Sequence, residues 1–404
     1  MARKPAAPVE AGNRARRGAN FGPPPFDTIA LLLQGGGALG AYQAGVYQAL
    51  AEADVLPNWV AGISIGAINS ALIVGNPPEA RVARLREFWE TVSRAPLGLF
   101  GLPYLPSLNI EDGRAHWLIN QIRALGVAAF GAPAFFTPRV PPSQLLPSQP
   151  PNALSFYDTA PVRATLERLV DFDRINSGET RLSVGAVNVK SGNFVYFDTT
   201  MQKIDVRHII ASGSLPPGFP ATEIDGEFFW DGGVVSNTPL QWVFNSQPRR
   251  DTLAFQVDLW SASGELPHDL SHADMREKEI RFSSRTRAMT DHFKSQQKLR
   301  HAVRRALERI PPNLRKDPEI EELAKEASAA VYNVVELIYR AKSYEGVSMD
   351  YEFSRRTMEE HWRTGHEEAS HALSHPEIFE RPVGGVGFRA FDFAEAGHSA
   401  EKDD

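Results

Sequence analysis

The 404-residue chain contains no cysteine. Disulfides, thiolate metal sites and cysteine nucleophiles are all excluded at once, and a reducing compartment fits this usage. Long apolar runs are missing too. The first, Ile29 to Gln34, is six residues long, against ~20 for a membrane-spanning helix. Residues 1–25 carry Arg3, Lys4, Arg14, Arg16 and Arg17 against one acid, Glu10, and have no apolar core of signal-peptide length. Residues 1–26 are therefore expected to form a disordered basic tail, and a cytoplasmic location is expected from the absent signals. Basic excess is lacking as well: the net charge of −6 provides no cationic face for nucleic acid.

What is present is a globular composition, 42% apolar and 10% aromatic, enough for a sizeable core. "TIALLL" (Thr28 to Leu33) and "WVAGI" (Trp59 to Ile63) read as strands buried on both faces. Helical patterns follow each, over Ala38 to Ala53 and Ile65 to Gly75, with a third over Arg81 to Val92. Strand–helix alternation with short joints predicts a mostly parallel sheet between helices, a three-layer αβα fold.

From 95 to 154 the chain turns rich in proline, glycine and large apolar residues, which predicts an irregular apolar lid or insertion. Beyond it come a helix near Pro161 to Val170 and strands at Arg181 to Val189 and Phe194 to Asp198. Val206 to Gly233 reads as helix, turn and a strand ending at Asp231, and Leu253 to Trp260 as another buried strand. The expected catalytic domain spans 27–260. A mainly helical C-terminal extension, 261–404, would pack on it, with one long basic helix from Asp274 to Arg309, a strand at Val334 to Tyr339 and a last helix from Tyr351 to Ser374.

Gly35, Gly37 and Gly40 in "GGGALG" spell the dinucleotide fingerprint. That reading requires a second strand ending in Asp or Glu to hold a ribose. Here the second strand runs into Ser64 within "GISIG" (Gly62 to Gly66), a G-x-S-x-G strand-to-helix turn that lifts a serine hydroxyl above the sheet edge. Parallel neighbours would bring the glycine loop beside that elbow, so that amides of Gly36, Gly37 and Ile65 converge on one oxyanion. The serine needs a base. None of the eleven histidines sits in an evident catalytic frame. His371 and His375 have metal-like i, i+4 spacing without the carboxylate that would accompany it. Asp231, closing "FFWD" before Gly232 and Gly233, is the leading candidate, although Asp-Gly is also a common turn pair.

Taken in order, "GGGALG", "GISIG" and "DGG" resemble the motif set of the patatin-like phospholipase family, and "ASGSLPPGFP" (Ala211 to Pro220) resembles the segment preceding its aspartate box. The resemblance covers about residues 27–260. It implies a Ser–Asp dyad without histidine, with Ser64 as nucleophile, Asp231 as base and Gly35, Gly36 and Gly37 as oxyanion donors, while Gly40, Gly62, Gly66, Gly232 and Gly233 complete the motifs. It further implies hydrolysis of acyl lipids with no metal or other cofactor. Leu39 stands where the family's loop carries a basic residue. The apolar 95–154 segment is the candidate acyl-binding wall and peripheral membrane contact. Two other readings remain open: an α/β-hydrolase-type esterase using His268 with Ser64 and Asp231, and a nucleotide-binding or scaffolding protein using the glycine loop.

Overall fold

The computed structural model describes residues 24–94 and 124–393, apart from 125, 133, 147, 149, 284, 285, 342–344, 347, 384 and 386. Most of the expected tail, and residues 95–123 of the expected 95–154 lid, lie outside the described residues. The first half of the chain forms β1 (Thr28–Leu33), α1 (Gly40–Glu52), β2 (Trp59–Ile63), α2 (Ile65–Val74) and α3 (Pro78–Val92). A short ladder of β3 (Thr137–Pro138) and β4 (Tyr157–Asp158) precedes α4 (Ala160–Leu169) and α5 (Phe172–Ile175). Then come β5 (Arg181–Asn188), β6 (Phe194–Asp198), α6 (Val206–Ser212), β7 (Thr222–Ile224), β8 (Glu227–Asp231), α7 (Leu240–Asn245) and β9 (Thr252–Asp258). The remainder supplies α8 (Leu270–Phe282), α9 (Thr286–Glu308), α10 (Pro318–Glu326), β10 (Tyr332–Ile338), α11 (Arg355–Leu373) and β11 (Phe388–Phe391).

β11, β10, β9, β1, β2 and β5 lie side by side in parallel, and β6, β8 and β7 join antiparallel at the far end. Successive residues of β1 serve opposite faces. Leu31 and Leu33 enter a core with Tyr42, Val46, Ile65 and Trp362, while Ala30 and Leu32 pack with Leu240, Phe244 and Phe293. Helices thus cover both faces of the sheet, the three-layer arrangement anticipated by the strand–helix alternation.

Residues after 261 enter this same body. β10 pairs with β9 in register from Tyr332↔Thr252 to Ile338↔Asp258, so the sheet continues without interruption. α11 crosses α1 at two glycines: a Cβ on Gly45 would overlap the carbonyl of Trp362, and one on Gly365 the carbonyl of Tyr42. Backbone-to-backbone approach of this kind is available to glycine alone. The expected single helix from Asp274 to Arg309 is instead two, α8 and α9, and the chain is extended at Ser283. The cause is a contact distant in sequence. The Phe282 carbonyl accepts from Asn237 Nδ2 at 2.8 Å, so it is turned away from a continuing helix.

A hairpin was hidden in the sequence. β7 and β8 are joined by Asp225 and Gly226, with φ of 52° and 84°, the backbone signs of a two-residue primed turn. Its Asp-Gly signal is plain in "EIDGEFF", but β7 is three residues long and shows no alternation to read.

Candidate active site

Ser64 stands between β2 and α2 with φ 57° and ψ −124°. A side chain in that region costs ~1–3 kcal/mol and persists where its surroundings hold it. Here the Ser64 amide donates to Ser212 Oγ at 3.0 Å, and the Ser212 hydroxyl donates to the Gly185 carbonyl at 2.6 Å. The Ser64 carbonyl accepts from Ala67 N at 2.9 Å, opening α2. Space explains the flanking glycines: a Cβ at Gly62 would overlap the Gly66 carbonyl, and one at Gly66 the Leu33 carbonyl. Residues larger than glycine would push α2 off β1 and carry the serine with it.

Register delivers Asp231. One edge of β5 is paired with β6, so its other edge is shared end to end by two strands. β2 pairs along it as far as Ile63↔Gly185, and β8 takes over at the next residue, Asp231↔Ala186. β8 arrives antiparallel from beyond the carboxyl edge and stops where β2 stops, which sets Asp231 against Ser64. The Asp231 side chain is 1% exposed. Its Oδ1 accepts from Gly233 N at 2.7 Å, and the Ser64 hydroxyl lies beside the carboxyl. Burial pushes its pKa from 3.8 up to about 7, outweighing the Gly233 amide and the Ser64 hydroxyl, which favour the charged form.

The glycine loop is anchored by groups far away in sequence. Gly35 N donates to Asn237 Oδ1 at 3.1 Å, while the Gly35 carbonyl accepts from Asn237 Nδ2 at 3.0 Å and Trp260 Nε1 at 2.9 Å. Among the three glycines expected as oxyanion donors, Gly35 thus has its amide committed elsewhere. For the amides of Gly36, Gly37 and Ile65 there is no acceptor among the described residues. Gln34 is wholly buried. Its Oε1 accepts from Leu259 N at 2.6 Å and Trp260 N at 3.0 Å, and its carbonyl accepts from Gln43 Nε2 at 2.7 Å. Gly40 sits where a Cβ would meet Ile65 Cγ1 at 2.5 Å. Leu39 is 0% exposed in the core, and an unpaired cation there would be expensive. That accounts for leucine at this position of the loop.

Gln34, Asn237, Ser212 and Trp260 were not singled out in the sequence. Gln34 left one signal, a lone polar residue closing the buried run "IALLL". Asn237 left another, the polar pair Asn237–Thr238 just after "DGGVV". Ser212 lay within the family-like segment "ASGSLPPGFP" without being picked out, and Trp260 left no signal.

A cavity of about 380 Å³ opens over these groups. Its floor includes Gly36, Gly37, Ser64, Asp231 and Gly233, and its walls include Val127, Phe135, Phe136, Phe219 and Phe353. Phe136 is the hub of the aromatic wall, with ring centroids 4.7 Å from Tyr157 and 5.3 Å from Phe219. The described residues lining the cavity include Asp231 and Asp350 but no lysine, arginine or histidine. His268 is not among them; it stands exposed beside Asp269 and His272, away from Ser64 and Asp231. Nitrogen and oxygen atoms of that exposed trio lie within 4.8 Å of one another, the metal-like cluster found among the described residues. His371 and His375 face each other edge to ring at 4.8 Å, and His375 Nδ1 lies 2.9 Å from the His371 carbonyl. His208 closes the capping box of α6 with Asp205.

Fold and site together define an α/β protein with a strained serine elbow at the carboxyl edge of its sheet and a buried carboxyl beside it. A family model described as patatin-like phospholipase matches residues 31–244, and a second, described as patatin phospholipase, matches residues 280–384. The first covers more than half of the chain, which belongs to the patatin-like phospholipase family. No curated protein matches it. Among solved structures, VipD from Legionella pneumophila is similar over 86% of this chain and 66% of its own, at 14% identity and a TM-score of 0.36. The type III effector ExoU is similar over 88% of this chain and 54% of its own, at 15% identity and a TM-score of 0.29. A complex of SpcU with ExoU from Pseudomonas aeruginosa gives 75% and 60%, at 18% identity and a TM-score of 0.27. The chain spans under two thirds of those chains, and likeness this distant transfers no residue role.

Proposed function

We propose that this chain is a serine acyl-ester hydrolase acting on lipids through a Ser64–Asp231 dyad. The observation that carries the reading is a strained elbow serine set beside a buried carboxyl whose pKa has been lifted to about 7. A base is most effective when its pKa lies near the working pH, and an ordinary carboxylate lies well below it. Asp231 takes the Ser64 proton as Oγ attacks the ester carbonyl. The oxyanion that forms is received by the Gly36, Gly37 and Ile65 amides at the positive end of α2; each such donor is worth ~3 kcal/mol in the transition state. The tetrahedral intermediate collapses, and the leaving alcohol takes the proton back from Asp231. Asp231 then deprotonates water, which attacks the acyl-enzyme, and the fatty acid departs as Ser64 recovers its proton. No metal or other cofactor takes part in this scheme.

The phenylalanine-rich wall suits an acyl chain. Leu145, Leu154 and Phe156 are 76%, 52% and 46% exposed, and Phe156 lines the cavity. Exposed apolar side chains of this kind favour contact with a lipid surface, and peripheral membrane contact belongs to the proposal. Among the described residues no helix is long and apolar enough to cross a membrane.

The test is labelling by a fluorophosphonate together with turnover of a short-chain nitrophenyl ester. Wild type should label and turn over, and Ser64→Ala should do neither. An inert wild type, or a Ser64→Ala variant that still turns over, would refute the proposal.

A further inference from the structure

The glycine loop is clamped by residues after 261. The Asp350 carbonyl accepts from Ala38 N at 2.7 Å. It also fills the space that a side chain on Gly37 would occupy, and Gly37 has φ 56°. The Asp350 carboxylate in turn meets Lys278 Nζ, on α8, at 2.5 Å. Lys278 is flanked by Trp260 and Tyr351, with its ammonium 5.6 Å and 5.4 Å from their ring centroids. Trp260 itself donates to the Gly35 carbonyl, and Phe282, at the end of α8, receives the Asn237 that holds Gly35. Asp350 lines the cavity, whereas Lys278 stands behind it.

We propose that Lys278 and Asp350 are positioning residues for the reaction, a charged latch through which α8 and the Ser348–Tyr351 turn hold the glycine loop in its oxyanion-binding geometry. The inference rests on the oxyanion role proposed above. The physical logic is that of a half-buried ion pair. Deleting the Lys278 ammonium leaves the Asp350 carboxylate uncompensated, which is far costlier than deleting both charges. Without the Lys278 ammonium, the Asp350 carboxylate turns toward water and draws its carbonyl off Ala38. The Gly36 and Gly37 amides then lose their aim, which weakens the transition state more than the ground state.

The experiment compares Lys278→Met, Lys278→Arg, Asp350→Asn and the double Lys278→Met/Asp350→Asn variant with wild type, using the nitrophenyl ester. Lys278→Met should lower kcat by about 10- to 100-fold with KM within about twofold. Its affinity for a trifluoromethyl ketone, which forms the oxyanion adduct, should fall in proportion to kcat/KM. Lys278→Arg should keep most of the activity, and the double variant should recover at least about tenfold over Lys278→Met. If Lys278→Met does not fold, Lys278→Gln takes its place and should show the same loss in kcat, relieved in the double Lys278→Gln/Asp350→Asn variant. Unchanged kcat in folded Lys278→Met, a loss confined to KM, or a double variant no better than the single ones would overturn the latch. An inert wild type would sink the hydrolase reading itself, so the two failures are distinguishable.

Discussion

Asp231→Asn should make the protein inactive and more stable at once, and the size of the stability gain should depend on pH. The Asp231 carboxyl is 1% exposed and pushed from 3.8 up to about 7, chiefly by burial. At ~1.4 kcal/mol per pKa unit, that is a preference of ~4 kcal/mol for the neutral form. The sign follows from which state holds the proton. Between 3.8 and about 7 the folded carboxyl keeps its proton while the unfolded one has lost it. The stability this proton contributes is complete below 3.8 and is lost as pH rises through about 7. Asparagine is neutral throughout and escapes that loss. Urea denaturation of both proteins at about pH 5 and about pH 8.5 should show the advantage of the variant growing by ~3 kcal/mol across that interval. Turnover of the nitrophenyl ester should meanwhile fall by about 10³-fold or more. A variant whose relative stability is the same at both pH values would refute the burial argument. A variant that keeps turning over would refute the role of Asp231 as base.

The pH profile offers an independent check. Since Asp231 must be ionised to act as a base, kcat/KM should rise with pH through about 7 and level off above it; a limb near the ordinary carboxylate value would point to a different base. Asn237→Ala removes the side chain that brackets Gly35 on both its amide and its carbonyl and also holds Phe282. It should cost ~2–3 kcal/mol in urea denaturation and lower kcat by about 10- to 100-fold with little change in KM. An effect on KM alone would show that the loop is not held for the transition state.

How much of this was legible beforehand depends on the range of each interaction. β1, α1, β2 and α2 were read from runs of buried residues and from helical spacing, which are properties of neighbouring residues. The elbow was legible for the same reason, because Gly62, Ser64 and Gly66 act within one turn. The α8–α9 break escaped because its cause, the bond from Asn237 to the Phe282 carbonyl, spans 45 positions. The β7–β8 hairpin escaped because β7 is too short to carry a pattern. Gly35 was expected to donate to an oxyanion, and the structure commits its amide to a residue 202 positions away.

The amino-acid sequence by itself determined the layer architecture and the elbow, since hydrophobic periodicity and glycine spacing act over a few residues. The motif resemblance already named Asp231; the tertiary structure decided how it reaches Ser64, through the register of an antiparallel strand sharing an edge of β5 with β2. It also decided what holds the glycine loop. Asn237, Trp260 and Asp350 reach that loop through hydrogen bonds whose partners lie hundreds of residues apart, and no local pattern encodes such a meeting.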